Sequence, residues 1–165
     1  MKKYTLIMLL FVFYAGIAAA QHTDPADARK ISNGIKLKLT DGIKLIKAYL
    51  FYDGGTRVPD SNLANINQNV NMMIQIRRFG WVEKDGKVSI GASEKVTTSL
   101  GAVILNEPDL FSTLTDISAE DAQYVTLKAI ITSTTKTIKY FTVSFVVYDK
   151  WGPGKITGSY RFKIR

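Results

Sequence analysis

The side chains that could do chemistry in this sequence are aromatic rings and carboxylates, because the usual nucleophiles and soft metal ligands are missing. The 165 residues include no cysteine and a single histidine, His22. Without cysteine there can be no disulfide, thiolate metal site or cysteine nucleophile. His22 lies near the start of the chain, where we expect an incidental tail residue. Without a further histidine, a Ser-His-Asp triad and a histidine-rich zinc site are not expected. We therefore expect a protein that is not an enzyme.

Four aromatic residues are the candidate binding residues: Trp81, Trp151, Tyr140 and Tyr148. Trp151 begins a Trp-Gly-Pro-Gly stretch, a composition typical of an exposed turn. Exposed aromatic faces can stack on sugar rings, and an indole adds an N–H donor. In the alternative interpretation, both indoles close the ends of the core and donate their N–H groups to loop carbonyls.

Carboxylates in the predicted loops are the second candidate set. They are Asp53, Asp60, Glu107, Asp109, Asp116, Glu120, Asp121 and Asp149. Loop oxygens at one end of a sandwich could bind Ca²⁺, which takes about six to eight oxygen ligands. No stretch has regular D-x-D-x-D-G spacing, however, and turn-forming or helix-capping roles explain such residues equally well. No cofactor is expected, and a hydrolase using two of these carboxylates is the remaining enzymatic alternative.

The formal charge of +8 makes anionic partners a possibility, among them acidic glycans, lipopolysaccharide or an acidic protein surface. The basic residues do not form a run but alternate with apolar ones, as in Ile35-Lys36-Leu37-Lys38-Leu39. This pattern is typical of solvated strand faces, where lysines also discourage edge-to-edge pairing. Nucleic acid is not an expected partner, because the chain carries a secretory signal and no known nucleic-acid module.

Residues 1–20 resemble a bacterial secretory signal peptide. Lys2 and Lys3 precede an apolar run, and Ala18-Ala19-Ala20 supplies the small residues of a cleavage site. The run is shorter than the about 20 residues needed to cross a bilayer, so we expect removal of residues 1–20 rather than a retained anchor. These features predict an exported protein, periplasmic or extracellular, that does not span the membrane once processed.

The elements that must position the candidate residues are short strands, and the clearest pair lies at the end of the chain. In 156–164, Tyr160 and Phe162 share one parity and Arg161 and Lys163 the other, which predicts a strand with a dry and a wet face. Residues 137–149 alternate in a similar way. The Gly- and Pro-rich segment between the two runs therefore predicts a long antiparallel hairpin at the centre of the sheet.

Turn signals divide the rest of the chain into further short strands. Asp41-Gly42 predicts a hairpin that joins strands at 35–39 and 43–52, and Asp85-Gly86 predicts a second hairpin. Two consecutive apolar residues, Leu45 and Ile46, predict either a bulge or burial of the strand on both faces. Other strands are expected at 70–76, 95–98, 103–105 and 125–131.

Two short helical turns are also expected. Pro108 suits the first position of a turn at 107–111, and Ser118 followed by Asp121 is the pattern of a capped turn at 118–122. We expect a flexible lead at 21–33 and a single domain at 34–165.

About eight to ten short strands without a long helical pattern predict an all-β protein. We favour an antiparallel, immunoglobulin-like β-sandwich, with a small β-barrel as the alternative. The favoured function is an exported non-enzymatic interaction or structural domain that binds another envelope or extracellular protein. The alternative is a carbohydrate-binding module that uses the two tryptophans and neighbouring tyrosines, and exposure of the indole rings separates the two hypotheses.

Overall fold

The computed structural model describes residues 30–40, 42–114 and 116–165. The predicted signal peptide and most of the predicted lead lie outside these ranges. No helix in the described part of the chain is long and apolar enough to cross a membrane. The strands are β1 (Lys36–Leu39), β2 (Leu45–Tyr52), β3 (Leu63–Ala64), β4 (Asn69–Ile76), β5 (Lys87–Val88), β6 (Ile90–Thr98), β7 (Val103–Glu107), β8 (Ile117–Ser118), β9 (Tyr124–Ile130), β10 (Phe141–Asp149) and β11 (Lys155–Ile164).

The strands form two open sheets that pack into a sandwich. The larger sheet has the order β1-β11-β10-β6-β7, with β3 added in parallel beside β11, and the smaller has the order β2-β4-β9. In immunoglobulin domains one sheet runs A-B-E-D and the other G-F-C-C′. Because β2-β4-β9 follows A-B-E and β11-β10-β6-β7 follows G-F-C-C′, the predicted immunoglobulin-like sandwich is confirmed. The sheets remain open, so the barrel alternative is wrong.

The predicted terminal hairpin is confirmed as β10 and β11, which pair antiparallel from Phe141 opposite Phe162 to Tyr148 opposite Lys155. Phe162 is 1% exposed and stacks on Phe141 with ring centroids 5.9 Å apart, while Arg161 is exposed. Partners on both sides, β1 and β6, place this hairpin inside the larger sheet.

A glycine in the middle of β11 shows how tightly the core is filled. A Cβ atom built on Gly158 would lie 2.5 Å from the ring of Phe145 and 2.7 Å from Leu37. Neither neighbour can withdraw without leaving a void, because both pack among buried residues between the sheets. The dry face of β11 therefore needs glycine at this point.

The hairpin predicted at Asp41-Gly42 is wrong. β1 pairs with β11 in the larger sheet, whereas β2 pairs with β4 in the smaller one, so the intervening residues carry the chain from one sheet to the other. A turn dipeptide fixes only a local reversal; the partner of each strand is set by which sheet can cover its apolar face. The bulge predicted at Leu45 and Ile46 is confirmed, because the β2–β4 register shifts there.

The second predicted hairpin exists only as a turn. Asp85 and Gly86 have φ values of 50° and 73°, and Lys84 and Lys87 exchange backbone hydrogen bonds around them. Beyond the turn, however, β5 pairs with β8 instead of returning along Trp81. Strands of two residues form too few hydrogen bonds with each other to be stable alone, so contacts with neighbouring parts of the domain hold them in place.

One of the two predicted helical turns is present. A 3₁₀ helix spans Asp121–Gln123, and the hydroxyl of Ser118 accepts a hydrogen bond from the Asp121 amide and donates one to its carboxylate. At 107–111 no helix forms. There, Phe111 N–H donates to the side chain of Asp109 at 3.0 Å, which closes a local turn.

The described end of the predicted lead is part of the fold. Ala48 N–H donates to the Lys30 carbonyl at 2.9 Å, and Ser32 N–H donates to the Ala48 carbonyl at 3.0 Å. The side chain of Asn33 is buried, accepts from Leu50 N–H at 2.9 Å and donates to the Val58 carbonyl at 2.8 Å. These bonds fix residues 30–33 beside β2.

Candidate functional site

Trp81, the first of the four predicted binding residues, is a core residue. It is 8% exposed, and its indole N–H donates to the carbonyl of Ala122 at 3.0 Å. This bond ties the segment before β5 to the 3₁₀ helix. For Trp81, the alternative interpretation of the sequence is therefore the correct one, because its indole packs in the core. The ring is not available for stacking on a ligand.

Trp151 is half-buried in the turn between β10 and β11. Its backbone N–H donates to the carboxylate of Asp149 at 2.8 Å, and the ammonium group of Lys84 lies 4.7 Å from the centroid of its ring. The second oxygen of Asp149 accepts from Val82 N–H at 2.6 Å. One face of the indole is therefore occupied by a cation from the same chain.

Tyr148 and Tyr140 lie at opposite ends of β10. The ring of Tyr148 covers Gly91, where an added Cβ would lie 2.3 Å from the ring. Tyr140 precedes the strand, and the guanidinium carbon of Arg161 lies 4.7 Å from its centroid. Eight residues of strand separate the two tyrosines by about 26 Å, at about 3.3 Å per residue. The four predicted residues therefore do not form one site.

The loop carboxylates do not converge either. Within 30–40, 42–114 and 116–165, no three His, Cys, Asp or Glu side chains are close enough to hold a metal ion. Asp53 instead accepts hydrogen bonds from the side chains of Asn69 and Asn71, which lower the pKa of its carboxyl. On the same outer face of the smaller sheet, Arg57 stacks over Tyr49. The polar groups of this face contact one another.

The strongest candidate site is the edge of the larger sheet at β7. All of its first four residues are exposed, and three are large and apolar: Val103 at 52%, Ile104 at 49% and Leu105 at 40%. Leu100, in the turn before the strand, is 70% exposed. On its outer side β7 pairs with no strand in the described part of the chain. Exposed apolar edge strands are a liability in monomers, since their free backbone groups pair with other chains.

A groove of about 500 Å³ lies between this edge and the edge of the smaller sheet. Its apolar walls come from β7, from β9 and the residues after it, and from β10. Together with Val96 of β6, the apolar lining residues are Ile104, Leu105, Ile130, Ile131, Ile138 and Phe141, and four threonines and Ser133 also line the groove. Ile130, the last residue of β9, is 47% exposed and contributes to the lining of the groove.

The groove exists because the fold lacks one strand. In an immunoglobulin domain a further strand, D, pairs with E and covers this side of the sandwich. In this chain β8, the strand that the structure describes between β7 and β9, pairs with β5 and not with β9. The outer edge of β9 is consequently unpaired among the described residues.

Sequence reasoning identified a strand at 103–105 but did not predict that its apolar side chains are exposed. Val103, Ile104 and Leu105 are apolar without alternation, a pattern typical of a strand covered on both faces. The lack of alternation was therefore a sign in the sequence that both faces of this strand need to be covered. It could not distinguish a strand that the fold covers from one that a partner would cover.

Comparison with known proteins gives distant structural likenesses only. No protein-family model and no curated protein sequence matches the chain. Among solved structures, the C-terminal domain of Wzt is 14% identical with a TM-score of 0.49, over 80% of this chain and 78% of that one. The PmoD soluble domain from Methylocystis sp. is 10% identical with a TM-score of 0.40, over 81% of this chain and 100% of that one. At such low sequence identities and TM-scores, no function is inferred for this chain from either protein.

Proposed function

We propose that this chain is an exported, non-enzymatic interaction domain that binds an extended segment of another envelope or extracellular protein along β7. The observation that carries the proposal is the exposed, apolar, one-sided edge of β7 beside an apolar groove. An added strand would pair with the free backbone groups of β7 and extend the larger sheet. Its alternate side chains would enter the groove, which is how β-augmentation combines affinity with specificity.

The chemistry of the groove defines the partner segment. The apolar part of the lining is aliphatic apart from the ring of Phe141, four threonines and Ser133 add hydroxyl groups, and Lys128 is the only charged residue that lines the groove. A segment with Val, Ile, Leu or Phe at alternate positions would bury these side chains against Ile104 and Ile130. Each apolar side chain transferred from water in this way is worth about 1.5–3 kcal/mol.

A carbohydrate-binding module built on the four aromatic residues has less support. Trp81 is buried, Trp151 is covered on one face by Lys84, and the two tyrosines lie at opposite ends of β10. Sugar-binding platforms need aromatic faces that are exposed and close enough to engage one chain. The geometry of these residues does not provide such a platform.

Site-specific photo-crosslinking in the source organism tests the proposal. A photoreactive residue replaces Ile104, and crosslinked partners are identified by mass spectrometry. The matched control carries the same residue at Ile46, an apolar position 37% exposed on β2 at the far edge of the smaller sheet. We expect one reproducible partner from position 104 and none from position 46.

The identified partner then provides the quantitative test. Its crosslinked segment, made as a peptide, should bind the purified domain, and Ile104→Lys should weaken binding by about 2 kcal/mol or more while Ile46→Lys leaves it unchanged. If both variants weaken binding equally, or if position 104 crosslinks only to a second copy of this chain, the proposal is wrong.

A further inference from the structure

The outer face of the larger sheet is basic. Strand parity and pairing place six exposed cationic side chains on it, and no carboxylate at any strand position of that face. The cations are Lys36, Lys38, Lys95, Lys155, Arg161 and Lys163. The face is separate from the β7 groove, since its residues point away from the smaller sheet.

Hydroxyl groups occupy the centre of this face. The register aligns Lys36 on β1, Ser159 on β11, Ser144 on β10 and Lys95 on β6 in one row across the sheet. Neighbouring strands lie about 4.8 Å apart, so the backbones of the two lysines are about 14 Å apart with two serines between them. Adjacent rows add further Ser and Thr residues, namely Ser93, Thr97, Thr142 and Thr157.

A cavity of about 320 Å³ indents the face at one end of this row. Lys36 and Arg161 supply its charge, and Thr142 and Ser159 supply hydroxyls. None of the residues that line it is acidic. Asn62 fixes the wall by donating to the carbonyl oxygens of Asn33 and Arg161, both at 2.8 Å. Two cations beside two hydroxyls form a suitable environment for one anionic group.

We propose that this face binds an acidic polysaccharide, with a carboxylate or sulfate group of the glycan in the cavity between Lys36 and Arg161. The row of hydroxyls provides hydrogen-bond partners for sugar hydroxyls, and Lys95 is placed to meet a second acidic group further along the polymer. A flat face with charges at intervals fits a linear polyanion, which the excess of basic over acidic residues in the chain also attracts at long range.

Two other polyanions fit the face less well. Single-stranded nucleic acid binds through bases stacked on open aromatic rings, but Arg161 covers Tyr140 and Tyr148 lies against Gly91 at the other end of β10. A bilayer surface needs large apolar side chains to insert beside the cations, whereas the middle of this face carries Ser144 and Ser159.

Titration calorimetry with defined polymers tests the inference. The probes are oligogalacturonate, a polymer of uronic acid, and chondroitin sulfate, with neutral dextran of similar size as the blank. The test variant is the double substitution Lys36→Gln and Arg161→Gln. Its matched control is Lys44→Gln with Lys47→Gln, around the start of β2 in the smaller sheet, which removes the same charge.

We expect at least one acidic glycan to bind and dextran not to bind. The Lys36 and Arg161 variant should lose affinity by about tenfold or more, since two charge-assisted hydrogen bonds are removed, and the control should lose less than about twofold. The inference is overturned if neither acidic glycan binds, or if both variants lose affinity equally. Equal or tighter binding of oligo(dT) or of phosphatidylglycerol vesicles would likewise overturn it, because the face would then recognise a different class of polyanion.

Discussion

Glu94 of β6 and Tyr160 of β11 are buried in the same core, and neither the carboxylate nor the phenol hydroxyl has a hydrogen-bond partner among the described residues. Glu94 is 1% exposed. Burial raises the pKa of its carboxyl from the ordinary 4.5 to about 7. Burial, together with the charge of Glu94, raises the pKa of Tyr160 well above its ordinary value. An ionised Glu94 is therefore costly to this fold.

The first prediction is that stability falls as the pH rises from about 4.5 to about 7. Below 4.5 both the folded and the unfolded chain hold the proton of Glu94. Between these values the unfolded chain releases the proton and the folded chain keeps it, so the unfolded state gains free energy of ionisation. The loss is at most about 3.5 kcal/mol, at about 1.4 kcal/mol for each pH unit between the two pKa values.

Glu94→Gln removes the ionisation and keeps the shape of the side chain. We expect its urea midpoint to match wild type at pH 4 and to exceed it at pH 8. Glu120→Gln, on an exposed residue, is the control and should follow wild type at both pH values. If the urea midpoint of Glu94→Gln also equals that of wild type at pH 8, ionisation of Glu94 does not destabilise the folded state.

The second prediction concerns the central hairpin. Phe162→Ala should lower the free energy of unfolding by about 3–5 kcal/mol, because it removes a buried ring and leaves a cavity beside Phe141. Lys163→Ala, one residue further on the exposed face, should change it by no more than about 0.5 kcal/mol. Urea denaturation of the two variants measures the difference, and similar midpoints would contradict the strand register.

The third prediction separates the two tryptophans by fluorescence. Trp151→Phe leaves Trp81, which should emit at short wavelength and resist quenching by iodide because it is buried. Trp81→Phe leaves Trp151, whose half-buried ring should emit at longer wavelength and be quenched. The Trp81→Phe variant should also lose about 1–3 kcal/mol of stability, since the Ala122 carbonyl then lacks its donor. Equal quenching of the two proteins would contradict these positions.

The fourth prediction concerns Asp149, which holds the turn that carries Trp151. Asp149→Ala removes the acceptor for the amides of Val82 and Trp151 and should cost about 3–6 kcal/mol, since each of these two hydrogen bonds to a charged acceptor contributes about 1.5–3 kcal/mol. Asp149→Asn keeps one carbonyl oxygen and should cost about half as much. Thermal denaturation provides the comparison, with Asp85→Asn in the exposed turn before β5 as the control. Equal midpoints for Asp149→Ala and this control would show that the carboxylate does not hold the turn.

The sequence by itself determined the strands and their faces, because the alternation of side chains along a strand is a local property. The dry face of β11 at Tyr160 and Phe162, the bulge at Ile46 and the capped turn at Ser118 were all predicted from neighbouring residues. It also excluded disulfides and thiolate chemistry, since the chain has no cysteine and composition is independent of the fold.

The tertiary structure alone decided which strands pair and which side chains reach the surface. Asp41-Gly42 predicted a hairpin, but its two flanking strands belong to different sheets. Trp81 and Trp151 both stand next to turns, yet only Trp81 is covered by the 3₁₀ helix from a distant part of the chain. The apolar run in β7 became an exposed edge because none of the strands in the described part of the chain pairs on its outer side. Pairing and burial depend on contacts between residues far apart in sequence, and no local pattern encodes them.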